Sequence, residues 1–455
     1  MKPISRASAV MAAAAAALAA AACGSSSSPS SSSSSSGGQI GGSISVWAEW
    51  TGQEQQDFLA ALQPFETQTG ITVNYAGKGN NTDTALTSAI QGGAPPDVAL
   101  VPDPGTLQTL AKQGSIKDLT SVLGSLSGNY GNAWNQLATY NGKLYGVWFK
   151  GANKNTIWYN PAEFTAAGIS SPPTTWEQLL QDAGQLQAAG VTPFSLCTDI
   201  GWPLADFWQN VYLKVAGADD YNKLATHDLK WTDQTVTSAF QTLGQLFSQP
   251  SYLAGGLQGS LSNPYPQCVD KVFPKTGSPA AAMVFEGDFV VSEITGNSQK
   301  YMGGTMGAGG AACTTDPTAT PCYDFFNFPA PSADSANNSA IQGAGDVALM
   351  LKDTPQSEAL IKYLAGPDGA SIWAHLGGFA SPNKSVNTSS YPDSVTKSDA
   401  QALVGAASFV FSLDDLQGSW EHMMWQDLIN FLQNPSGVST VEATMDQQAT
   451  AALGH

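Results

Sequence analysis

Residues 43–114 predict an α/β fold built on a parallel, doubly wound sheet. Three observations carry this. Short runs alternate apolar and polar residues, the runs between them place apolar residues at helical spacing, and glycine or proline stands at the joints. Ser43-Ile-Ser-Val-Trp47 alternates as a strand. Residues 53–67 set Phe58, Leu62 and Phe65 on one helical face, and Gly70 stops that helix. Ile71-Thr-Val-Asn-Tyr75 alternates again. Asn81-Thr-Asp83 can cap a helix that carries Leu86 and Ile90. Pro96-Asp97 leads into a short strand, Val98–Val101, and Pro104-Gly105 opens a helix with Leu107, Leu110 and a closing Gly114. Strand–helix–strand–helix–strand in this order makes right-handed crossovers and hence parallel strands. Ligands of such sheets bind beyond the carboxyl ends of the strands, which here are Trp47–Glu54, Gly77–Asp83 and Pro102–Gly105.

The start of the chain reads differently. Lys2 and Arg6 precede an almost unbroken apolar run, Ala7 to Ala22, followed by Cys23-Gly24 and a serine tract to Ser36. Basic residues, a short apolar core and small residues before a cut are the layout of an export signal, here residues 1–22. The core is too short for a permanent span. With a cysteine at the cut the pattern resembles a bacterial lipoprotein signal, which implies lipidation of Cys23 and a flexible tether over residues 23–42. Ala20 stands where that signal usually has leucine.

Beyond residue 22 the chain keeps 433 residues, enough for two domains, and 42 % of the sequence is apolar, as in ordinary globular proteins. Arg6 is the only arginine. The remainder holds 16 lysines against 36 acidic residues, a formal charge of −20. Such a surface repels nucleic acid and anionic lipid, and without guanidinium groups bidentate capture of phosphate or carboxylate is lost. A neutral ligand is favoured. Four cysteines remain after Cys23, an even number that suits an oxidising compartment. Cys313 and Cys322 flank a turn-rich loop and are expected to pair, leaving Cys197 with Cys268. None of the four stands in a C-x-x-C, and His227, His375, His422 and His455 are scattered, so no metal or cofactor site is expected.

A series of motifs then carries a resemblance. Trp50-Thr-Gly-Gln-Glu54, Phe65-Glu-Thr-Gln-Thr-Gly-Ile71, Ile90-Gln-Gly-Gly-Ala-Pro-Pro-Asp97, Leu144-Tyr-Gly-Val147, Trp158-Tyr-Asn160, Phe164-Thr-Ala-Ala-Gly-Ile169, Pro173-Thr-Thr-Trp-Glu177 and Phe285-Glu-Gly-Asp-Phe289 occur in this order. Together they resemble the extracellular solute-binding proteins of sugar ABC importers, the maltose and α-glucoside type, from about Ser43 to near the C-terminus. Gly377-Gly-Phe-Ala-Ser-Pro-Asn383 and Trp420 fit as well, whereas Leu413-Asp-Asp-Leu-Gln-Gly418 lacks the usual Met-Pro. The resemblance implies two α/β lobes, each a doubly wound sheet flanked by helices, hinged around a ligand cleft. On this sequence lobe one is expected at 43–148 and 343–380, and lobe two at 149–342 and 381–455. It also implies a neutral oligosaccharide such as maltose or trehalose as ligand and a permease as partner. The receptor would be a monomer lipid-anchored on the outer face of the cytoplasmic membrane.

A sugar needs aromatic planes for its CH faces and short polar side chains for its hydroxyls. Candidates at strand and helix ends of lobe one are Glu54, Asn80, Asn81, Asp83 and Asp103. Lys150 and Asn153 follow the first crossover, and Asp346 lies at a later one. Trp202, Asp206 and Trp208 share one segment, Glu286, Asp288 and Phe289 share another, and Trp420 comes late. Asn81 and Asp83 are equally explained as helix caps, and Trp47, Trp158 and Trp176 as core. A secreted glycosidase is the rival reading, with Glu286 and Asp288, or Asp414 and Asp415, as its carboxylate pair. Acids one or two positions apart do not by themselves flank a scissile bond at the separation that chemistry needs. No G-x-S-x-G, H-E-x-x-H or P-loop occurs.

Overall fold

The computed structural model describes residues 39–298, 301–304, 322–332, 335–406, 408–417 and 420–454. Cys23, the expected tether up to residue 38 and Cys313 lie outside them, and with Cys313 the expected 313–322 bridge.

Strand β1 (Ser43–Ala48) buries Ile44, Val46 and Ala48 and turns its serines outward, the alternation its sequence predicts. Helix α1 (Gly52–Thr69) seats Phe58, Leu62 and Phe65 in the core and ends on Gly70 at φ 68°, a left-handed cap that glycine adopts without a Cβ penalty. Strand β2 (Thr72–Gly77) pairs with β1 in parallel. Helix α2 (Thr82–Gln91) buries Leu86. Its N-cap, Asn81, makes no side-chain capping bond. Strand β3 (Val98–Val101) is buried throughout and parallel to β1. Asp103 caps helix α3 (Pro104–Gln113) by accepting from Gly105 N–H, and Pro104 fills the first turn, where a missing N–H costs nothing.

The rest of this sheet comes from far along the chain. Strand β4 (Gly146–Asn153) runs antiparallel to β10 (Ala340–Met350), and β10 also pairs antiparallel with β3. Strand β11 (Ser408–Phe411), assigned by sequence to the second lobe, pairs in parallel with the start of β10 in the first sheet. The order is β11-β10-β3-β1-β2, with β4 on β10. The sheet is therefore mixed: a parallel three-strand half met by antiparallel crossing strands.

A second sheet has the order β8-β9-β5-β7-β6, from β5 (Thr156–Tyr159), β6 (Phe194–Ser195), β7 (Met283–Phe285), β8 (Met302–Gly303) and β9 (Cys322–Asn327). Helices α4 (Trp202–Ala216), α5 (Gln234–Phe247), α9 (Glu421–Gln433) and α10 (Val438–Leu453) pack beside it around a core rich in aromatic rings. Helices α6 (Val290–Ser298), α7 (Asp368–Leu376) and α8 (Ser394–Gly405) lie nearer the first sheet, α7 against α1 and α8 against β4. Cys197 and Cys268 form a disulfide with Cα atoms 5.4 Å apart, one of the two expected bridges. Two sheets flanked by helices and joined by crossing strands are the two-lobed α/β architecture expected. No described helix is long and apolar enough to cross a membrane.

Candidate ligand cleft

A cavity of about 310 Å³ opens where the carboxyl ends of β1–β3 face α4, α6 and α9. That volume is within the range of small-molecule sites, roughly 300–1,000 Å³. The β1–β3 side supplies Glu49, Thr51, Glu54, Asn80, Asp83 and Pro102, all just past strand ends. The crossing strands form the floor. Lys150, Ala152 and Lys154 recur every second residue, so one face of β4 and its exit point inward. Ala344, Gly345 and Asp346 of β10 lie beside them. A Cβ on Gly345 would stand 2.6 Å from the Lys150 carbonyl oxygen, so the close approach of the two strands requires glycine there.

The opposite wall is aromatic. Trp202, Tyr265 and Phe289 pack edge-on or tilted with ring centroids 5.5–6.0 Å apart. Trp425 joins them from α9, its indole N–H donating to Asp414 Oδ2 at 2.7 Å. Glu293, Asp414, Asp415 and Glu421 complete the lining.

Both lysines are committed. Lys150 is buried and bonded to Glu54. Burial works against its ammonium, but Glu54, Asp346 and Asp288 together outweigh it and hold the pKa above the ordinary value. Its Nζ also lies 4.9 Å from the Trp373 ring centroid. Lys154 bridges Asp206 at 2.9 Å and Asp415 at 3.8 Å, and these neighbours raise its pKa against burial. Burial dominates the carboxylates in turn. It pushes Asp346 up to about 7 although Lys150 opposes, and Asp83 up to about 6. Glu49 rises too, through burial and then the charge of Asp346.

Four polar atoms of the lining have neither a hydrogen bond nor an ion pair among the described residues: Asp83 Oδ1, Trp202 Nε1, Tyr265 Oη and Asp346 Oδ1. Buried polar atoms in folded proteins are nearly always paired, so a ring of such atoms around one cavity marks where a ligand's own groups fit.

Of the candidates named from sequence, Glu54, Asn80, Asp83, Lys150, Trp202, Phe289 and Asp346 line the cavity. The others are not part of its lining, each for a local reason. Asn81 is exposed on the turn before α2. Asp103 is turned back onto the N-terminus of its own helix. Asn153 donates to Asp399 behind β4, and Asp288 is buried in the same region. Asp206 sits beneath Lys154 as its counter-ion. Glu286 is wholly buried with neither carboxylate oxygen bonded among the described residues, and burial raises its pKa. Trp208 stacks on Tyr212 and Trp231 at 5.2 Å in the helical core, and Trp420 packs edge-on against Trp231. Lys154 repeats Lys150 at strand spacing and was findable from that period alone. Glu49, Tyr265, Glu421 and Trp425 carried no local signal.

Two lobes with a polar–aromatic cleft at their strand ends define the clamshell class of solute receptors. The chain belongs to the bacterial extracellular solute-binding protein family, which it matches over residues 47–371. It is 27 % identical over 398 residues to the osmoprotective compounds-binding protein GgtB of Synechocystis sp., covering 86 % of this chain and 88 % of that one. It is 26 % identical over 410 residues to the alpha-glucosides-binding periplasmic protein AglE of Rhizobium meliloti, covering 87 % and 84 %. Among solved structures, the fold matches the bacterial solute receptor AcbH with a TM-score of 0.76 at 19 % identity, covering 90 % of this chain and 99 % of that one. A chitin oligosaccharide binding protein follows at 0.75 and 20 %, covering 91 % and 99 %.

Proposed function

We propose that this protein captures a neutral oligosaccharide, an α-glucoside such as maltose or trehalose, and hands it to the permease of an ABC importer without chemical change. The single observation that carries this is the ring of unpaired donors and acceptors beside aromatic faces. Sugar hydroxyls both donate and accept, so they can satisfy Trp202 Nε1 as well as Asp83 and Asp346. The aromatic wall offers apolar faces to the ring CH groups. A lining rich in carboxylates, with its two lysines already paired, disfavours anionic solutes. The relatives whose names mention alpha-glucosides and osmoprotective compounds support the same class. Capture proceeds by closing two lobes on the ligand, with Glu54, Asp83 and Asp346 bonding hydroxyls and Trp202 stacking.

The rival glycosidase reading has less support. Glu286 lies outside the cavity, Asp414 is held by Trp425 and Gln209, and Asp415 is paired with Lys154. The export signal and Cys23 support tethering by lipid to the outer face of the membrane.

The test is a thermal-shift screen against maltose, trehalose, sucrose, longer glucosides, chitobiose and a uronic acid, with product analysis by chromatography. A ligand at about 100 times its Kd stabilises the native state by about 2.7 kcal/mol. A shift with maltose or trehalose, none with the uronate and no hydrolysis is the expected outcome. No shift with any neutral sugar, or release of monosaccharide, refutes the proposal.

A further inference from the structure

At one end of the cleft, three carboxylates from opposite walls meet. Asp83 near the start of α2, Asp103 at the N-cap of α3 and Glu421 at the start of α9 have carboxylate oxygens within 4.8 Å of one another. The first two follow strands of the first sheet, whereas α9 packs on α4 beside the second. Asp103 accepts from Gly105 N–H at 2.6 Å and from the Thr106 hydroxyl at 2.8 Å, and Thr106 also bonds the Asp83 carboxyl. Asp83 Oδ1 is buried with no partner among the described residues. Glu421 is 8 % exposed, and among the described residues its ion-pair partner is His422, with Nε2 at 3.7 Å.

The surroundings are acidic from every side. Asp414 and Asp415 face Glu421 from the turn before α9, and Glu49 reaches Asp83 from the end of β1. Buried Lys154, beside Asp415, is shared by Asp206 and Asp415. Exposed His422, when protonated, favours an ionised Glu421 and so opposes the others. Carboxylates this close in a partly desolvated site cannot all be ionised.

We propose that solute capture in this protein takes up protons: closing the cleft drives Glu421 against Asp83 and Asp103, and the three carboxyls cannot all stay ionised there. This rests on the reading that the cleft opens and closes around a solute. The sign follows from linkage. A carboxyl whose pKa is higher in the closed form binds a proton on closing, so acid favours closure and alkali opposes it. Burial, then the neighbouring carboxylates, lifts Glu421 up to about 11, and burial lifts Asp83 up to about 6. The window therefore begins near the ordinary carboxylate range and extends through neutrality. The receptor would hold its cargo most tightly where its surroundings are acidified.

The experiment uses the full-length protein and two readouts. Calorimetry with maltose and with trehalose between pH 5.5 and 8, in buffers of different ionisation enthalpy, gives Kd and protons taken up. Small-angle scattering of the ligand-free protein over the same range gives compactness without a ligand. Wild type should bind up to about tenfold more weakly per pH unit of rise for each linked proton, take up protons on binding, and be more compact at pH 5.5. Glu421→Gln, neutral at all pH, should flatten both profiles and at pH 8 bind more tightly than wild type. If that variant does not fold, Asp83→Asn replaces it, read by its pH slope alone because Asp83 also faces the solute. A constant Kd with no proton uptake, or an equal slope in both variants and wild type, overturns the proposal and leaves sugar capture standing. A Kd that responds to calcium and chelator rather than to pH also overturns it, since the triad would then hold a metal ion. If neither sugar binds and compactness ignores pH, both readings fall. If neither binds but compactness follows pH and loses it in Glu421→Gln, only the sugar assignment falls.

Discussion

Trp202 and Trp208 stand six positions apart on one helix, and truncating each should have opposite consequences. Trp202 is partly buried at the edge of the cleft, its indole N–H has no hydrogen-bond partner among the described residues, and its ring lies near Tyr265 and Phe289 with centroids 5.8 and 6.0 Å away. Trp208 is fully buried and packs on Tyr212, Trp231 and Phe240 with centroids 5.1–5.2 Å away. In Trp202→Ala two aromatic contacts are lost at the edge of the cleft. At about 0.5–1.5 kcal/mol per aromatic pair, stability falls by roughly 1–3 kcal/mol. Binding falls by about 2 kcal/mol or more, as for a stacking residue at the centre of a site, which is roughly a 30-fold rise in Kd. In Trp208→Ala a cavity opens in a dry core, costing roughly 3–5 kcal/mol of stability. The Kd of the folded fraction should stay within about threefold of wild type, because no atom of the wall is removed. Urea unfolding and calorimetry with the best sugar of the screen measure both quantities in both variants. Unchanged Kd in Trp202→Ala alongside a normal stability loss would show that this aromatic wall is packing only. A large Kd change in the folded Trp208→Ala protein would show that the core and the cleft are not separable in this way.

Three further outcomes follow from the same structure. Reducing the Cys197–Cys268 bridge, which closes a separation of 71 residues, should cost about 2–5 kcal/mol; melting with and without reductant reads it, and an unchanged midpoint would show that the bridge constrains little. Stability should decline as pH rises from about 4 to 8, because burial raises Asp346 to about 7 and Asp83 to about 6, so the native state binds more protons than the unfolded chain in that window. Melting midpoints that instead rise with pH would contradict it, and Asp346→Asn should flatten part of the decline. Cys23→Ser should release the protein from the membrane fraction or leave the signal uncut, and a variant that fractionates and matures like wild type would refute lipid anchoring.

Much of the first sheet was legible because its signals are local. Phe58, Leu62 and Phe65 share a helical face, Pro104 and Asp103 start a helix by their own backbone chemistry, and Gly70 and Gly114 end helices in left-handed conformations. These depend on residues within a turn or two of one another. The candidates at those strand ends fared as their neighbours did: Glu54, Asn80 and Asp83 line the cavity, while Asp103, one residue before its helix, was claimed by the cap. The motif series supplied the two-lobed architecture but not which side chains look inward.

That choice belonged to packing between distant segments. Which of two tryptophans on α4 met water was set by helices α5 and α9 closing over Trp208 and leaving Trp202 at the edge. Ser408–Phe411 became a strand of the first sheet because the start of β10 offered an unpaired edge more than sixty positions earlier in the chain. Glu421 came to lie against Asp83 and Asp103 only because α9 folds over the cleft from the other side. By itself the sequence determined the periodic elements, their caps, the acidic balance and the family resemblance, since each is written in neighbouring residues or in motif order. The tertiary structure alone decided which carboxylates face one another across the cleft and which polar atoms are left unpaired, because those depend on contacts between residues hundreds of positions apart that no local period encodes.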